Sequence, residues 1–258
     1  MLSLLRQSII QPIKEHRRQI RIPREALQAY AINKKIFPAK LILPVPFALG
    51  LNERPVELML ARLLYAPDKE ILDMGHANAK LSHRHFLKEL PGRRQITGID
   101  IAKPGYDPRP YYKKTIRGDI TQHAFEENSF DTIWCISTLE HIGTDVSIYA
   151  DGQTKDADMA GRVLESAVRL LKPGGQLLLS VPYGRYEDLK WLINYDAMHW
   201  NHLLDVVRSQ VLITEWYFRH IQSSGWQIVP PVELEYVGYH DQRNYGAAGL
   251  AAAILKKK

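Results

Sequence analysis

The run Glu70-Ile71-Leu72-Asp73-Met74-Gly75-His76-Ala77-Asn78-Ala79 ends an apolar stretch in an acidic residue and follows it with a turn of small residues. Small residues let backbone approach a ligand closely, and the start of a following helix can receive an anion. A dinucleotide site would want Gly-x-Gly-x-x-Gly, and only the first glycine is present here. Asp100 ends a second apolar stretch, where a carboxylate can accept hydrogen bonds from two ribose hydroxyls. Asp119 lies in Gly118-Asp119-Ile120, near the end of an extended stretch. Taken singly, Asp100 and Asp119 read equally well as strand-end residues that bond their own turns. Farther on, Glu140 and His141 put a carboxylate beside an imidazole that is neutral at pH 7, a candidate proton acceptor. Two histidine pairs, His83 with His85 and His199 with His202, lack the third and fourth ligands of a metal site, so no metal is expected.

Such residues act together only if strand ends converge. Pro55 fits the first turn of a helix carrying Leu58, Met59, Leu63 and Leu64. Ile71 to Met74 reads as a strand, 79–90 as a helix stopped by Pro91-Gly92, and Gln95 to Ile101 as a strand. An extended stretch from Lys113 to Ile120 precedes a buried strand, Thr132 to Ile136. A helix with Val163, Leu164, Val168 and Leu171 ends at Lys172-Pro173-Gly174-Gly175, before the strand Leu177 to Val181. Ile213 to Phe218 and Gly249 to Leu255 complete the set. The alternation predicts an α/β fold with a doubly wound, mostly parallel sheet covered by helices on both faces. Ligands then bind beyond the carboxyl ends of the strands, where Gly75, Asp100, Asp119 and the 135–141 stretch fall.

The 258 residues are 45% hydrophobic and 24% charged, which excludes a disordered or collagen-like chain. A single cysteine, Cys135, excludes internal disulfides and points to a reducing, cytoplasmic setting. No apolar stretch reaches the roughly 20 residues of a membrane span, and no secretory signal is expected. The net charge of +6 is uneven, because residues 1–40 hold nine Lys/Arg against Glu15 and Glu25. Residues 1–50 are read as a basic N-terminal arm and 51–258 as the main domain, with an inserted segment at about 183–211. The basic arm suits an anionic partner such as RNA, or packs on the body as a solvated face. The aromatic residues after the fifth strand, Tyr183 among them, can roof a pocket, and Arg185 can hold a carboxylate or phosphate.

In order, the segments are Ile-Leu-Asp-Met-Gly at 71–75, Gly-Ile-Asp at 98–100, Gly-Asp-Ile at 118–120, Phe-Asp-Thr-Ile at 130–133, Leu-Glu-His at 139–141 and Leu-Lys-Pro-Gly-Gly at 171–175. This set resembles the class I S-adenosylmethionine-dependent methyltransferases, in the broad type 11 group, over about residues 55–182. Val-Pro-Tyr-Gly at 181–184 and Gly-Ala-Ala-Gly-Leu at 246–250 also resemble bacterial members found with glycan and polysaccharide enzymes. The resemblance implies a seven-stranded Rossmann-like sheet and S-adenosylmethionine as cofactor. It implies that Asp73, Gly75, His76 and Ala77 shape the pocket for the methionine part. Asp100 and Ile101 would meet the ribose and adenine, Asp119 and Ile120 the adenine, and Cys135 and Ile136 the region near the methyl group. The acceptor would be an oxygen or nitrogen of a small molecule or glycan, with RNA as the alternative and His141 as the base. The family's first motif commonly has three glycines where this chain has Gly75, Ala77 and Ala79. Alanine disfavours positive φ, so the expectation is an altered loop, and a non-catalytic binding protein stands as a further alternative.

Overall fold

The computed structural model describes residues 11–92, 95–144, 156, 158–241 and 246–258. One sheet organises the molecule. Its strands are β1 (Ile71–Met74), β2 (Ile96–Asp100), β3 (Lys114–Arg117), β4 (Phe130–Ile136), β5 (Leu171–Pro182), β8 (Val211–Ile221), β9 (Gly225–Ile228) and β10 (Gly249–Lys257). They lie in the order β3-β2-β1-β4-β5-β10-β8-β9. The first five are mutually parallel, and β10 runs antiparallel between β5 and β8. Two two-residue strands, β6 (Glu187–Asp188) and β7 (Ile193–Asn194), pair within the inserted segment.

The doubly wound, mostly parallel sheet is as expected, but it has eight strands rather than seven. The extra strand is β9, which follows Ser223-Ser224 closely enough to fold back on β8 as a hairpin. It is too short and mixed in composition, Gly-Trp-Gln-Ile, to stand out in a sequence.

Alternation along the strands assigns each side chain to one of two cores. Ile133 and Cys135 of β4, Leu177 and Leu179 of β5, and Ala251, Ala253 and Leu255 of β10 face α4 (Met159–Leu170) and α5 (Ala197–Asp205). Trp134, Ile136, Leu178, Leu250, Ala252 and Ile254 face the other way, towards α1 (Gln11–Asn33), α2 (Arg54–Leu64) and α3 (Leu81–Glu89).

The basic N-terminal segment therefore has a packed part. Helix α1 buries Ile22, Ala26 and Ala29 in the second core. Pro12 lies in its first turn, where a missing N–H costs nothing. Gln19 Oε1 accepts the Ser82 N–H at 3.1 Å, fastening α1 to the first turn of α3. Its exposed side carries Lys14, Arg17, Arg21 and Arg24 at three- and four-residue spacing. Residues 1–10 lie outside the described residues. Among the described residues no helix is long and apolar enough to cross a membrane, and no group of three or more His, Cys, Asp or Glu is arranged to hold a metal ion.

Candidate functional site

A cavity of about 360 Å³ opens at the carboxyl ends of β1, β2 and β4, within the size range of small-ligand sites. Asp73, Gly75, His76, Asp100, Ile101, Asp119, Ile120, Ile136 and His141 all border it. The parallel strands carry these residues to one edge, because each segment leaves the sheet at its carboxyl end.

The turn after β1 depends on Gly75, whose φ of 81° is left-handed. Its N–H donates to Ile99 O at 3.0 Å, tying the turn to β2. A short 3₁₀ turn, His76–Asn78, follows. Gly75 is the turn's one positive-φ residue; Ala79 has a φ of −57°, and Ala77 sits in the 3₁₀ turn. Both alanines suit this path, and the turn closes without further glycines. His76 occupies the space that Gly98 leaves empty, since a Cβ there would stand 2.7 Å from the His76 ring.

Asp73 is buried, and its Oδ2 accepts from Tyr112 at 2.7 Å and meets His83 Nε2 at 2.9 Å. Burial alone would raise its pKa, but the His83 charge and hydrogen bond, the Tyr112 hydroxyl and nearby His76 together hold the carboxyl below its ordinary range. Burial dominates at His76 and pushes its pKa down.

Asp100 clamps the turn. Its Oδ2 accepts the Ala77 N–H at 2.7 Å and its Oδ1 the Ala102 N–H at 2.8 Å. Each oxygen keeps a second lone pair, so the carboxylate can still meet hydroxyls. Asp119 bonds its own turn, accepting from the Thr121 N–H and hydroxyl, both at 2.8 Å, while it also borders the cavity.

The end of β4 is held under backbone strain. Ser137 adopts a φ of 43°, uncommon for a residue with a Cβ. It is pinned by its N–H to Ser180 O at 3.1 Å and by its hydroxyl to Glu57 Oε1 at 2.6 Å. The strained position delivers Thr138, Glu140 and His141 to the cavity wall.

His141 Nδ1 lies 2.7 Å from the Trp191 carbonyl, and the ring stacks on the Trp191 indole with centroids 5.5 Å apart. A carbonyl only accepts, so Nδ1 carries the proton and Nε2 the lone pair. Burial is the largest influence on its pKa; with Arg54 it outweighs the Trp191 hydrogen bond and lowers it. The imidazole is therefore neutral and basic at Nε2 at pH 7.

Several expected site residues lie elsewhere. Cys135 is on the adjoining strand position but points into the first core, 1% exposed, and does not border the cavity. Burial first, then the charges of Glu140 and Asp73, push its thiol well above the usual range. Ala77 gives its N–H to Asp100 and does not itself border the cavity. Tyr183 is 3% exposed and packs on Tyr217, and Arg185 pairs with Glu187 at 2.8 Å on the surface. Neither reaches the cavity, so the acceptor role read for them is corrected. From the same inserted segment it is Trp191 and Leu192 that do.

Sequence reasoning also missed Glu53, Arg54 and Tyr239, which border the cavity from α2's first turn and from the segment before β10. The Asn-Glu-Arg-Pro start of α2 read only as a helix opening. Its acidic residues become recognisable as a site only once Glu140 is beside them.

Residues 72–179 match a family described as "Methyltransferase domain". The match spans 108 of the 258 residues and is a likeness to that domain. None of the curated proteins matches the chain. Among solved structures, the 1,6-didemethyltoxoflavin-N1-methyltransferase of Burkholderia thailandensis, with S-adenosylhomocysteine and 1,6-didemethyltoxoflavin bound, superposes with a TM-score of 0.50. It is 17% identical, over 80% of this chain and 78% of that one. The YcgJ protein of Bacillus subtilis has a TM-score of 0.50 at 12% identity, over 79% and 98% of the two chains. At these identities the likeness is one of fold: the chain has a Rossmann-like architecture of the class I methyltransferase type.

S-adenosylmethionine is the cofactor that goes with this domain, and the residues present suit it. Asp100 retains acceptor capacity for hydroxyls, Ile101 and Ile120 offer apolar sides, and a Cβ at Gly118 would meet nothing within 4 Å, leaving open space between them.

Proposed function

We propose that the chain transfers a methyl group from S-adenosylmethionine to an oxygen or nitrogen of a small molecule or glycan, with His141 as the base. The observation that carries this reading is the imidazole at the cavity wall, whose tautomer is fixed by the Trp191 carbonyl. Asp100 with Ile101 would hold the ribose and adenine, Asp119 and Ile120 the far side of the adenine, and Gly75 with Asp73 the methionine part. The cofactor, when bound, supplies a methyl group on a sulfonium, a leaving group already activated. What remains for the protein is placement, exclusion of water and removal of the acceptor's proton. Nε2 of His141 takes that proton, while Nδ1 stays bonded to Trp191 and keeps the ring from turning.

Calorimetric titration with S-adenosylmethionine and S-adenosylhomocysteine tests the cofactor assignment. Micromolar binding that Asp100→Ala abolishes supports it, and absence of binding by both ligands refutes it.

A second reading takes RNA as the acceptor, favoured by the exposed row Lys14, Arg17, Arg21 and Arg24. It predicts RNA binding that weakens steeply with salt and is lost when Lys14, Arg17 and Arg24 are changed to Glu. Salt-insensitive binding excludes it. Because α1 is part of the second core, surface charge reversal is a cleaner test than removal of residues 1–40.

A further inference from the structure

Among the described residues, Glu53 and Glu140 border the cavity as buried carboxyls with Arg54 beside them. Glu57 is wholly buried, with Ser137 and Ser180 hydroxyls donating to Oε1 at 2.6 and 2.7 Å and the Arg54 Nη1 charge 3.0 Å from Oε2. Among the described residues, Arg54 is the one arginine that borders the cavity. Glu53, 8% exposed, accepts the Ala247 N–H at 3.2 Å and no other hydrogen bond among the described residues. Glu140 is 2% exposed, borders the cavity, and its Oε2 has no hydrogen-bond partner. His141 Nε2 lies 3.9 Å from the other oxygen. An unpartnered buried carboxyl is costly, and a native fold that keeps one is usually built around something that will meet it.

Two aromatic residues belong to the same wall. Trp191 and Tyr239 border the same space, edge to face with centroids 6.0 Å apart, and His141 stacks on Trp191. Carboxyls and aromatic rings in one wall supply the two components of a cation site, since ring faces attract an ammonium electrostatically.

We propose that the methyl acceptor is an amine, bound as its ammonium ion between the Glu140 and Glu53 carboxylates and the Trp191 and Tyr239 rings. This deepens the methyltransferase reading and rests on it. It excludes carboxylate and phosphate acceptors, which would face Glu140 and Glu53 with like charge. Burial first, then Glu57 and Glu53 nearby, raise the Glu140 pKa, and Glu53 is raised by burial and by Glu57. The Arg54 charge pulls both down without cancelling the effect of burial.

The test uses the full chain and three probes of one size: benzylamine, benzyl alcohol and benzoate, titrated calorimetrically with and without S-adenosylhomocysteine. Benzylamine is expected to bind at least about ten-fold more tightly than the alcohol, with benzoate weakest. Glu140→Gln, which keeps the shape and removes the charge, is expected to erase that preference while leaving S-adenosylhomocysteine affinity within about two-fold. The folding control is the thermal midpoint of Glu140→Gln, expected at or above the parent's near pH 8, where a buried carboxylate costs most. Equal binding of amine and alcohol overturns the proposal. A loss of S-adenosylhomocysteine affinity in Glu140→Gln also overturns it, by assigning the carboxyl to the cofactor. Failure of S-adenosylhomocysteine to bind the parent chain refutes the methyltransferase reading instead, and the titrations without it still decide the amine preference.

Discussion

Gly75→Ala tests the argument that one glycine, rather than three, makes the turn after β1. Two costs add. The residue holds a φ of 81°, where an added Cβ costs about 1–2 kcal/mol. The new Cβ would also collide with Thr138, standing 2.8 Å from its Cγ2 and closer still to its hydroxyl. Thr138 is a stiff β-branched residue, with its hydroxyl within bonding distance of Ile136 O at 3.0 Å and Met74 O at 3.2 Å. It has no easy rotamer to retreat to, so overpacking adds about 1–3 kcal/mol. The expected total is about 2–5 kcal/mol, a large part of the roughly 5–15 kcal/mol that holds a domain together. Urea unfolding followed by tryptophan fluorescence reads it, since Trp134, Trp200 and Trp226 are all buried. Thr138→Ala in the same background removes the collision but not the backbone cost. The double variant should recover about 1–3 kcal/mol relative to additivity. A Gly75→Ala cost below about 1 kcal/mol, or additive behaviour of the pair, would refute the reasoning.

By the same logic Ala77→Gly and Ala79→Gly gain nothing: each should lower stability by up to about 1 kcal/mol through backbone entropy and leave S-adenosylhomocysteine affinity unchanged, as calorimetry would show. His141→Gln should lower turnover of an identified acceptor about 10²–10⁴-fold with cofactor affinity retained, and unchanged turnover would remove it as the base. His220 is buried with neither ring nitrogen bonded, and burial lowers its pKa, so the unfolded chain binds its proton more readily. Stability from this residue is therefore full above its ordinary value of 6.5 and falls as the pH drops below it. Glu53 and Glu140 act in the opposite sense, so the measurement is the difference between the chain and His220→Phe in urea midpoints at about pH 5.5 and about pH 7.5; a pH-independent difference contradicts the argument. Cys135 should be inert to thiol reagents in the folded chain and react fully in denaturant, which Ellman titration would show.

The strands and the ends that carry Gly75, Asp100, Asp119 and His141 were legible because each is short, apolar and closed by a residue with a turn role. The order of those segments exposed the architecture, and the architecture dictates which ends converge. What stayed hidden depends on side-chain direction and on distant pairs. Arg185 follows a glycine in a loop as expected, but the neighbouring Glu187 draws it to the surface. Cys135 and Ile136 are adjacent, yet alternation sends one into the core and the other to the cavity. Glu53 and Glu140 stand 87 positions apart, and only the fold makes them neighbours in charge. The supposed weakness at Ala77 and Ala79 was read by counting glycines, while the turn responds to φ.

The place of β10 has a consequence for the growing polypeptide. This strand follows every other strand of the sheet in chain order, yet it lies between β5 and β8. Its alternate residues complete both cores, Leu250 and Ile254 meeting the side that also holds Ile22 of α1. A ribosome therefore delivers β1 to β5 long before the strand that covers β5's free edge, whereas α1 meets its main packing partners, α2 and α3, early. During that interval the edge of β5 offers unpaired backbone groups to any passing strand. The nascent chain should be a client of holding chaperones, and it should be released from them only when β10 threads into the gap.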